Sequence, residues 1–483
     1  MPIDIERLKA LEKTARQLEP DPATLQGLFK QTEAYARAFL DKIYDVPAYI
    51  KTSDQGFGLL SSPIQEQPIA LNEALQLLSE HVDTPGINPA SGGHLGYIPG
   101  GGVVHSAFAD FLADISNRYA GVFFANPGAV RMENMLLRWM ADLIGYPAQA
   151  AGNLTSGGSI ANLIGIVTAR DAQQLKAKDF ERAVIYHSKQ VHHSVAKAIR
   201  IAGLKECIVR HVPLDNHYRM RSEALEQQIV ADKAAGLLPW LVIASAGTTD
   251  TGAVDPISTI GEIAHQQGLW YHIDGAYGAF FILCDEGQQI LKGMDRSDSL
   301  VMDPHKGLFL PYGCGAVLVK DRQKLLDSHY YLANYMQDTV SANEELSPAD
   351  LSPELTKHFR GLRVWLPLKL IGLAPFRACL AEKIELARYF YEKIQRIDGF
   401  EVGPFPDLSV VTYRYVPKRG DANAFNQKLV QKMHEDGRVF ISSTVLDGTF
   451  TLRAAVLAFR THRDTIDLAL DTLRQKAEQL AAE

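Results

Sequence analysis

Two hydrophobic periods alternate along this chain. Between about residues 150 and 320, short apolar, β-rich runs are separated by stretches with helical spacing. The runs are RAVIYHS (182–188), CIVRHVPL (207–214), WLVIASAGT (240–248), LWYHIDGA (269–276), SLVMDPH (299–305) and GAVLVKD (315–321). The helical stretches include GSIANLIGIVTARDAQQ (158–174), HSVAKAIRIAG (193–203) and PISTIGEIAHQQG (256–268). Strands alternating with helices predict a mainly parallel central sheet covered by helices on both faces. In such sheets ligands sit beyond the carboxyl ends of the strands. Residues 1–85 predict a helical segment that carries Leu25, Phe29, Tyr35 and Phe39. A Gly- and Pro-rich stretch follows, and 86–375 form a large domain. Residues 376–483 close the chain as a small α+β unit. It takes in the end of a long helical stretch (362–397), strand candidates LSVVTYRYV and TFTLRAAVLA, and a terminal helix over 463–482.

Composition narrows the function classes. The chain has 483 residues, 46% apolar and 22% charged, with net charge −7. That is an ordinary globular balance without the basic block that nucleic acid or anionic lipid demands. No apolar run is long enough for a transmembrane helix, and the charged N-terminus does not resemble a signal peptide. Cys207, Cys284, Cys314 and Cys379 are scattered, with no CxxC spacing. They imply reduced thiols, a cytoplasmic setting and no metal site.

Polar residues then stand where strands end. Thr155, Ser156, Gly157, Gly158 and Ser159 precede a helix with the stripe Ile160, Leu163, Ile164 and Val167. Free N–H groups and glycines there can hold an anion, although an ordinary helix start has the same composition. Asp274 ends the run LWYHIDGA, where a carboxylate needs a partner. It can bind a metal, cap the next segment or face a cationic ring nitrogen. His272 shares its strand face. No third ligand stands at metal spacing, so metal ranks last. His192 and His193 follow another strand. Lys306 lies in SLVMDPHKG, at the end of an apolar run, where a snorkelling lysine is the ordinary alternative. Taken together, an amine, a strand-end carboxylate and a phosphate cup are what pyridoxal 5′-phosphate requires. Desolvation at a strand end also favours the neutral, nucleophilic form of an amine.

Five stretches in order, TSGGSIANL, YHSKQVHHSVAKA, AGTTDTGAVDPI, HIDGAYGAFF and DPHKGLFLPYGCGA, resemble the group II pyridoxal-phosphate-dependent amino-acid decarboxylases, the aromatic-L-amino-acid decarboxylase-like family. The resemblance implies fold type I, the aspartate-aminotransferase type, and a tight homodimer with the active site at its interface; the apolar residues of the N-terminal helices predict that these pack across the two-fold. It implies Lys306 as the Schiff-base lysine, Asp274 at the pyridine nitrogen and His192 stacked on the ring. Gly158 and Ser159 match the phosphate cup, Thr248 and Ala276 flank the ring, and His305 touches phosphate or substrate. Tyr331 matches the tyrosine of a lid loop (about 328–353) that delivers a proton. Tyr97, Ile98 and Pro99 match the substrate region.

Departures from the family pattern fall at three positions. Asp303 stands where many relatives have Asn. A second anion beside a phosphate is unfavourable, so Asp303 is expected to point away or pair with a cation. Ile98 replaces a second aromatic ring, and Gly121 lies near the place of a phenylalanine. The implied reaction is decarboxylation of an aromatic or apolar L-amino acid to the amine and CO2, with His192 or Tyr331 as acid. Alternatives on the same scaffold are an aldehyde-forming oxidative decarboxylase, a carbon–carbon lyase or an aminotransferase. A non-catalytic binding protein is the alternative from another class, and the joint presence of Lys306, Asp274 and His192 speaks against it.

Overall fold

The computed structural model describes residues 3–330 and 345–482. Its largest sheet has seven strands: β1 (Ala151–Thr155), β2 (Ala183–His187), β3 (Ile208–His211), β4 (Leu238–Ser245), β5 (Trp270–Asp274), β6 (Ser299–Met302) and β7 (Gly315–Val319). Their order is β1-β7-β6-β5-β4-β2-β3. The neighbours from β6 to β3 pair in parallel. β7 is antiparallel to both β1 and β6. The sheet is therefore mixed and mostly parallel. Its strands are apolar on both faces because helices cover both. Val184, Ile185, Leu241, Val242, Ile273, Leu300, Val301 and Val317 are all excluded from solvent.

β1 does not stand out in the sequence. AGNLT has no β-branched residue before its last position, and it is a strand because β7 pairs along its whole length. The helix Gly158–Ala172 follows it directly and lies over β5, β6 and β7. The long helical stretch is two helices, Arg360–Ile371 and Leu373–Ile394, bent by 95°. Gly372 makes the bend with φ 76°. Among the described residues no single helix is long and apolar enough to cross a membrane.

A second sheet runs Phe400–Val402, Val410–Tyr415, Thr449–Ala455, Phe440–Leu446 and His94–Leu95. His94–Leu95 pairs in parallel with Phe440–Ile441. A strand from early in the chain thus completes the C-terminal sheet, across the expected boundary between 375 and 376. The helices Ile5–Ala15 and Pro22–Asp41, capped by Asp4 and Asp21, bury none of their residues.

Candidate active site

Loops at the carboxyl ends of β4, β5 and β6, and the turn after β1, border one cleft of about 430 Å³. β1 delivers the turn Ser156–Gly157 to the helix Gly158–Ala172. Gly157 takes φ 153° and ψ 176°, a conformation open essentially to glycine. A Cβ on Gly158 would come 2.9 Å from Asp303 Oδ2 and 3.2 Å from the Ala276 methyl. Small residues here keep the cleft floor low enough for a flat ligand with an anionic end at the helix start.

β5 delivers Asp274, which is 7% exposed. Its Oδ1 accepts from the Ala276 N–H at 3.2 Å, and its Oδ2 from Asn162 Nδ2 at 3.1 Å. His192, at the start of the helix His193–Ile201, caps it: the Ser194 N–H donates to Nδ1 at 3.3 Å. Burial lowers the His192 imidazole below its ordinary value, and Asp274 opposes that shift. His193 is exposed, with its ring 4.0 Å from that of His192.

β6 delivers Asp303, Pro304, His305 and Lys306 in a single helical turn. Lys306 Nζ is 3.3 Å from Asp303 Oδ2, and His305 Nε2 is 3.8 Å from the same atom. The Gly158 N–H donates to it at 3.1 Å. Asp303 therefore pairs with a cation, one of the two outcomes its sequence position allowed. Its other oxygen is buried without a hydrogen-bond partner among the described residues. His305 Nδ1–H donates to the Cys314 carbonyl at 2.6 Å, and burial lowers its basicity. Thr248 lies in the turn after β4, its hydroxyl 2.8 Å from that of Thr251.

Lys306, Asp274, His192, Gly158, Ser159, Thr248, Ala276 and His305 all border this cleft. Tyr97, Ile98 and Pro99 do not. Tyr97 has φ 53°, its N–H donates to Ser442 Oγ, and its carbonyl accepts from Arg453. That turn sends Ile98 and Pro99 into the interior and leaves Tyr97 58% exposed beside Phe440. Tyr312 and Gly313 form a wall of the cleft instead. At Gly121, a Cβ would lie 2.3 Å from the Leu355 carbonyl, so this chain has no room for a side chain there. Tyr331 lies outside the described residues.

Asn162, Ser194 and Tyr312 also border the cleft and were not singled out in the sequence. Asn162 had a usable signal: it is one helical turn from Gly158, among apolar neighbours. Together these groups fit pyridoxal phosphate. An amine, a buried carboxylate, an imidazole and a glycine-lined helix start face one space, with small residues beneath.

The model of the pyridoxal-dependent decarboxylase conserved domain matches residues 79–416. An aromatic-L-amino-acid decarboxylase of Bacillus atrophaeus is 34% identical over 406 residues, 83% of each chain. A phenylacetaldehyde synthase of Arabidopsis thaliana is 29% identical over 394 residues, 78% of this chain and 80% of its own. The crystal structure of Oryza sativa TDC with PLP and tryptamine superposes with a TM-score of 0.89 at 23% identity. It covers 95% of this chain and 99% of that one, and at this identity it speaks for the fold.

Proposed function

The chain belongs to the pyridoxal-dependent decarboxylase family, and on that premise we propose that it converts an aromatic L-amino acid to the amine and CO2 at the cleft of Lys306, Asp274 and His192. Amino-acid decarboxylation is its reaction and pyridoxal 5′-phosphate its cofactor, on fold type I. The observation that carries the site assignment is the convergence of those three side chains with the Gly158 helix start on one cleft.

When bound, the cofactor supplies an aldehyde for an amine and a cationic ring that accepts the electron pair left as CO2 departs. Lys306 provides the amine that holds it. The helix start at Gly158 and Ser159 would hold the phosphate, with the Gly158 N–H kept by Asp303, and Thr248, Ala276 and His305 would flank the group. Asp274, doubly hydrogen-bonded, would keep a proton on the ring nitrogen. His192, which borders the cleft, would pack against the ring. Asp303 pairs with Lys306 before substrate arrives. The proton for the former α-carbon comes from Tyr331 or His192. Tyr312 and His305 border the substrate side, and Tyr97 offers an exposed ring to a second subunit.

The aromatic preference rests on the B. atrophaeus relative. A second reading, an aldehyde product, rests on the A. thaliana synthase. That outcome passes two electrons to dioxygen and releases ammonia as well as CO2. We also assign a homodimer in a reduced, cytoplasmic compartment. The helix Val104–Ser116 exposes Phe108, Phe111, Leu112 and Ile115, an i, i+3, i+4, i+7 stripe of core type, beside the unburied N-terminal helices.

The test is an amino-acid panel with products identified by mass spectrometry and oxygen uptake recorded. Amine from aromatic substrates without oxygen uptake is expected. Borohydride reduction should fix the cofactor on Lys306, and an adduct on Lys292 or Lys320 would overturn that role. Tyr331→Phe should slow amine release at unchanged cofactor binding; unaltered amine production would assign the proton to His192.

A further inference from the structure

Asp274 and His192 are held by a set of buried polar side chains for which decarboxylation itself assigns no role. Alternation along β5 puts Trp270, His272 and Asp274 on one face. Register places Ser299 of β6 beside His272. The helix Gly158–Ala172 lays Asn162 across them. Its Gly165, one turn on, makes the room: a Cβ there would come 2.7 Å from the His272 ring.

Six close contacts follow. Trp270 Nε1–H donates to Ser299 Oγ at 2.9 Å. Ser299 Oγ is 2.7 Å from His272 Nδ1. His272 Nε2 is 2.8 Å from Asn162 Oδ1. Asn162 Nδ2 reaches both Asp274 Oδ2, at 3.1 Å, and Ser194 Oγ, at 3.2 Å. Ser194 Oγ is then 2.8 Å from His192 Nδ1.

Chemistry sets the direction of every proton. An ionised carboxylate only accepts, so the Asn162 amide must turn its NH₂ toward Asp274. Its carbonyl then faces His272 Nε2, and two acceptors at 2.8 Å would repel. His272 therefore carries its proton on Nε2 and accepts from the Ser299 hydroxyl at Nδ1. The ring stays neutral, since burial pushes His272 down to about 4. Ser194, accepting from Asn162, has its own hydroxyl proton free for His192 Nδ1, which the Ser194 N–H also faces. With two donors on Nδ1, the proton of neutral His192 sits on Nε2.

We propose that Trp270, Ser299, His272 and Asn162 form a one-way donor chain that positions the Asp274 carboxylate and, through Ser194, fixes His192 as the Nε2–H tautomer. These are positioning residues, acting on the cofactor only through Asp274 and His192. Each is buried and satisfied, so the arrangement is rigid, and reversing one link leaves a buried group unpaired. Asn162 is the branch point. One amide serves the group at the ring nitrogen and the group against the ring face, so both are set before any ligand enters. The proposal rests on the reading of Asp274 and His192 as cofactor contacts.

The first test uses apoenzyme, where cofactor chemistry does not enter. Nitrogen NMR with labelled histidine reads each ring tautomer, with His272→Gln and His192→Gln assigning the signals. Single Nε2–H tautomers for His272 and His192 are expected. A proton on Nδ1 of His272 would reverse the chain and overturn the proposal, whatever becomes of the assignment of Lys306. The second test compares His272→Gln, which keeps a donor toward Asn162, with His272→Leu, which does not. His272→Leu should weaken cofactor binding and lower kcat by about 10–100-fold at little change in KM. His272→Gln should restore most of both. Equal losses in the two variants would mean that the ring only fills space. Should His272→Leu fail to fold, Ser299→Ala replaces it: Asn162 still holds the proton on Nε2, but Nδ1 loses its donor, so its nitrogen resonance should shift and cofactor binding weaken, and a wild-type spectrum would overturn the chain.

Discussion

Asp274 stands where both side-chain oxygens accept hydrogen bonds, which an amide, with one acceptor oxygen, could not fully match. Its two acceptor contacts, from Asn162 and the Ala276 N–H, are made by a carboxylate without strain. Asp274→Asn keeps the shape and removes the charge that holds a proton on the ring nitrogen. Turnover should fall at least ~100-fold, on the order of 3 kcal/mol in the barrier, in steady-state assays. Near-normal turnover would leave Asp274 a structural residue. His94 tests a different property of single residues. It is 2% exposed, neither ring nitrogen has a hydrogen-bond partner among the described residues, and burial pushes it down to about 4 from 6.5. Between those values the unfolded chain binds a proton that the folded chain refuses. This contribution to stability is complete above pH 6.5 and is lost as pH falls toward 4. His94→Leu should remove about 2 kcal/mol of acid sensitivity between pH ~7 and ~5, read from urea midpoints. Parallel pH curves for the two proteins would count against it.

At the scale of elements, β1 shows how a strand of weak propensity is held. Lys357 Nζ donates to Glu133 Oε1 at 2.7 Å, to Asn153 Oδ1 at 3.0 Å and to the Leu154 carbonyl at 2.8 Å. Glu133 Oε1 also accepts from the Leu154 N–H. Both charges are essentially excluded from solvent. They brace the strand that presents Ser156 and Gly157 to the cleft. Lys357→Met strands a buried carboxylate and should cost about 3–5 kcal/mol by urea denaturation. Adding Glu133→Gln should recover much of that loss, and a double variant no better than the single one would place the role elsewhere. Local chemistry also marks an element of which only the second strand, TFTLRAAVLA, was predicted from the sequence. The hairpin between Phe440–Leu446 and Thr449–Ala455 turns on Asp447 and Gly448, both at positive φ. The break at Gly372 was less legible, since the apolar spacing continues across it and only packing demands the bend.

For the whole molecule, the distribution of apolar surface matters more than any one contact. A stripe of Phe108, Phe111, Leu112 and Ile115 faces outward, and Phe29 of the N-terminal segment packs on it with ring centres 6.0 Å apart. Burial of this face by a second copy is the expected outcome. Ile115→Glu should halve the mass seen by light scattering at micromolar concentration and abolish activity. Wild-type protein that is monomeric and active would rule out the dimer.

The sequence by itself determined the alternation of strands and helices, the parallel core and the segment that carries Lys306. Each of these is set by periodicity or by a motif contiguous in the chain. It also marked Asp274, because a carboxylate closing an apolar strand is costly without a partner. Tertiary structure decided what depends on distant segments meeting. β7 enters antiparallel between β1 and β6, and His94–Leu95 completes a sheet whose other strands lie past residue 399. Tyr97–Pro99 turn away from the cleft because Arg453 and Ser442 hold that backbone. The side-chain partner of Asp274, Asn162, comes from a helix more than a hundred residues earlier in the chain. No local pattern encodes such meetings, since hydrogen bonds between remote side chains are fixed only when strand register and helix docking bring their atoms within about 3 Å.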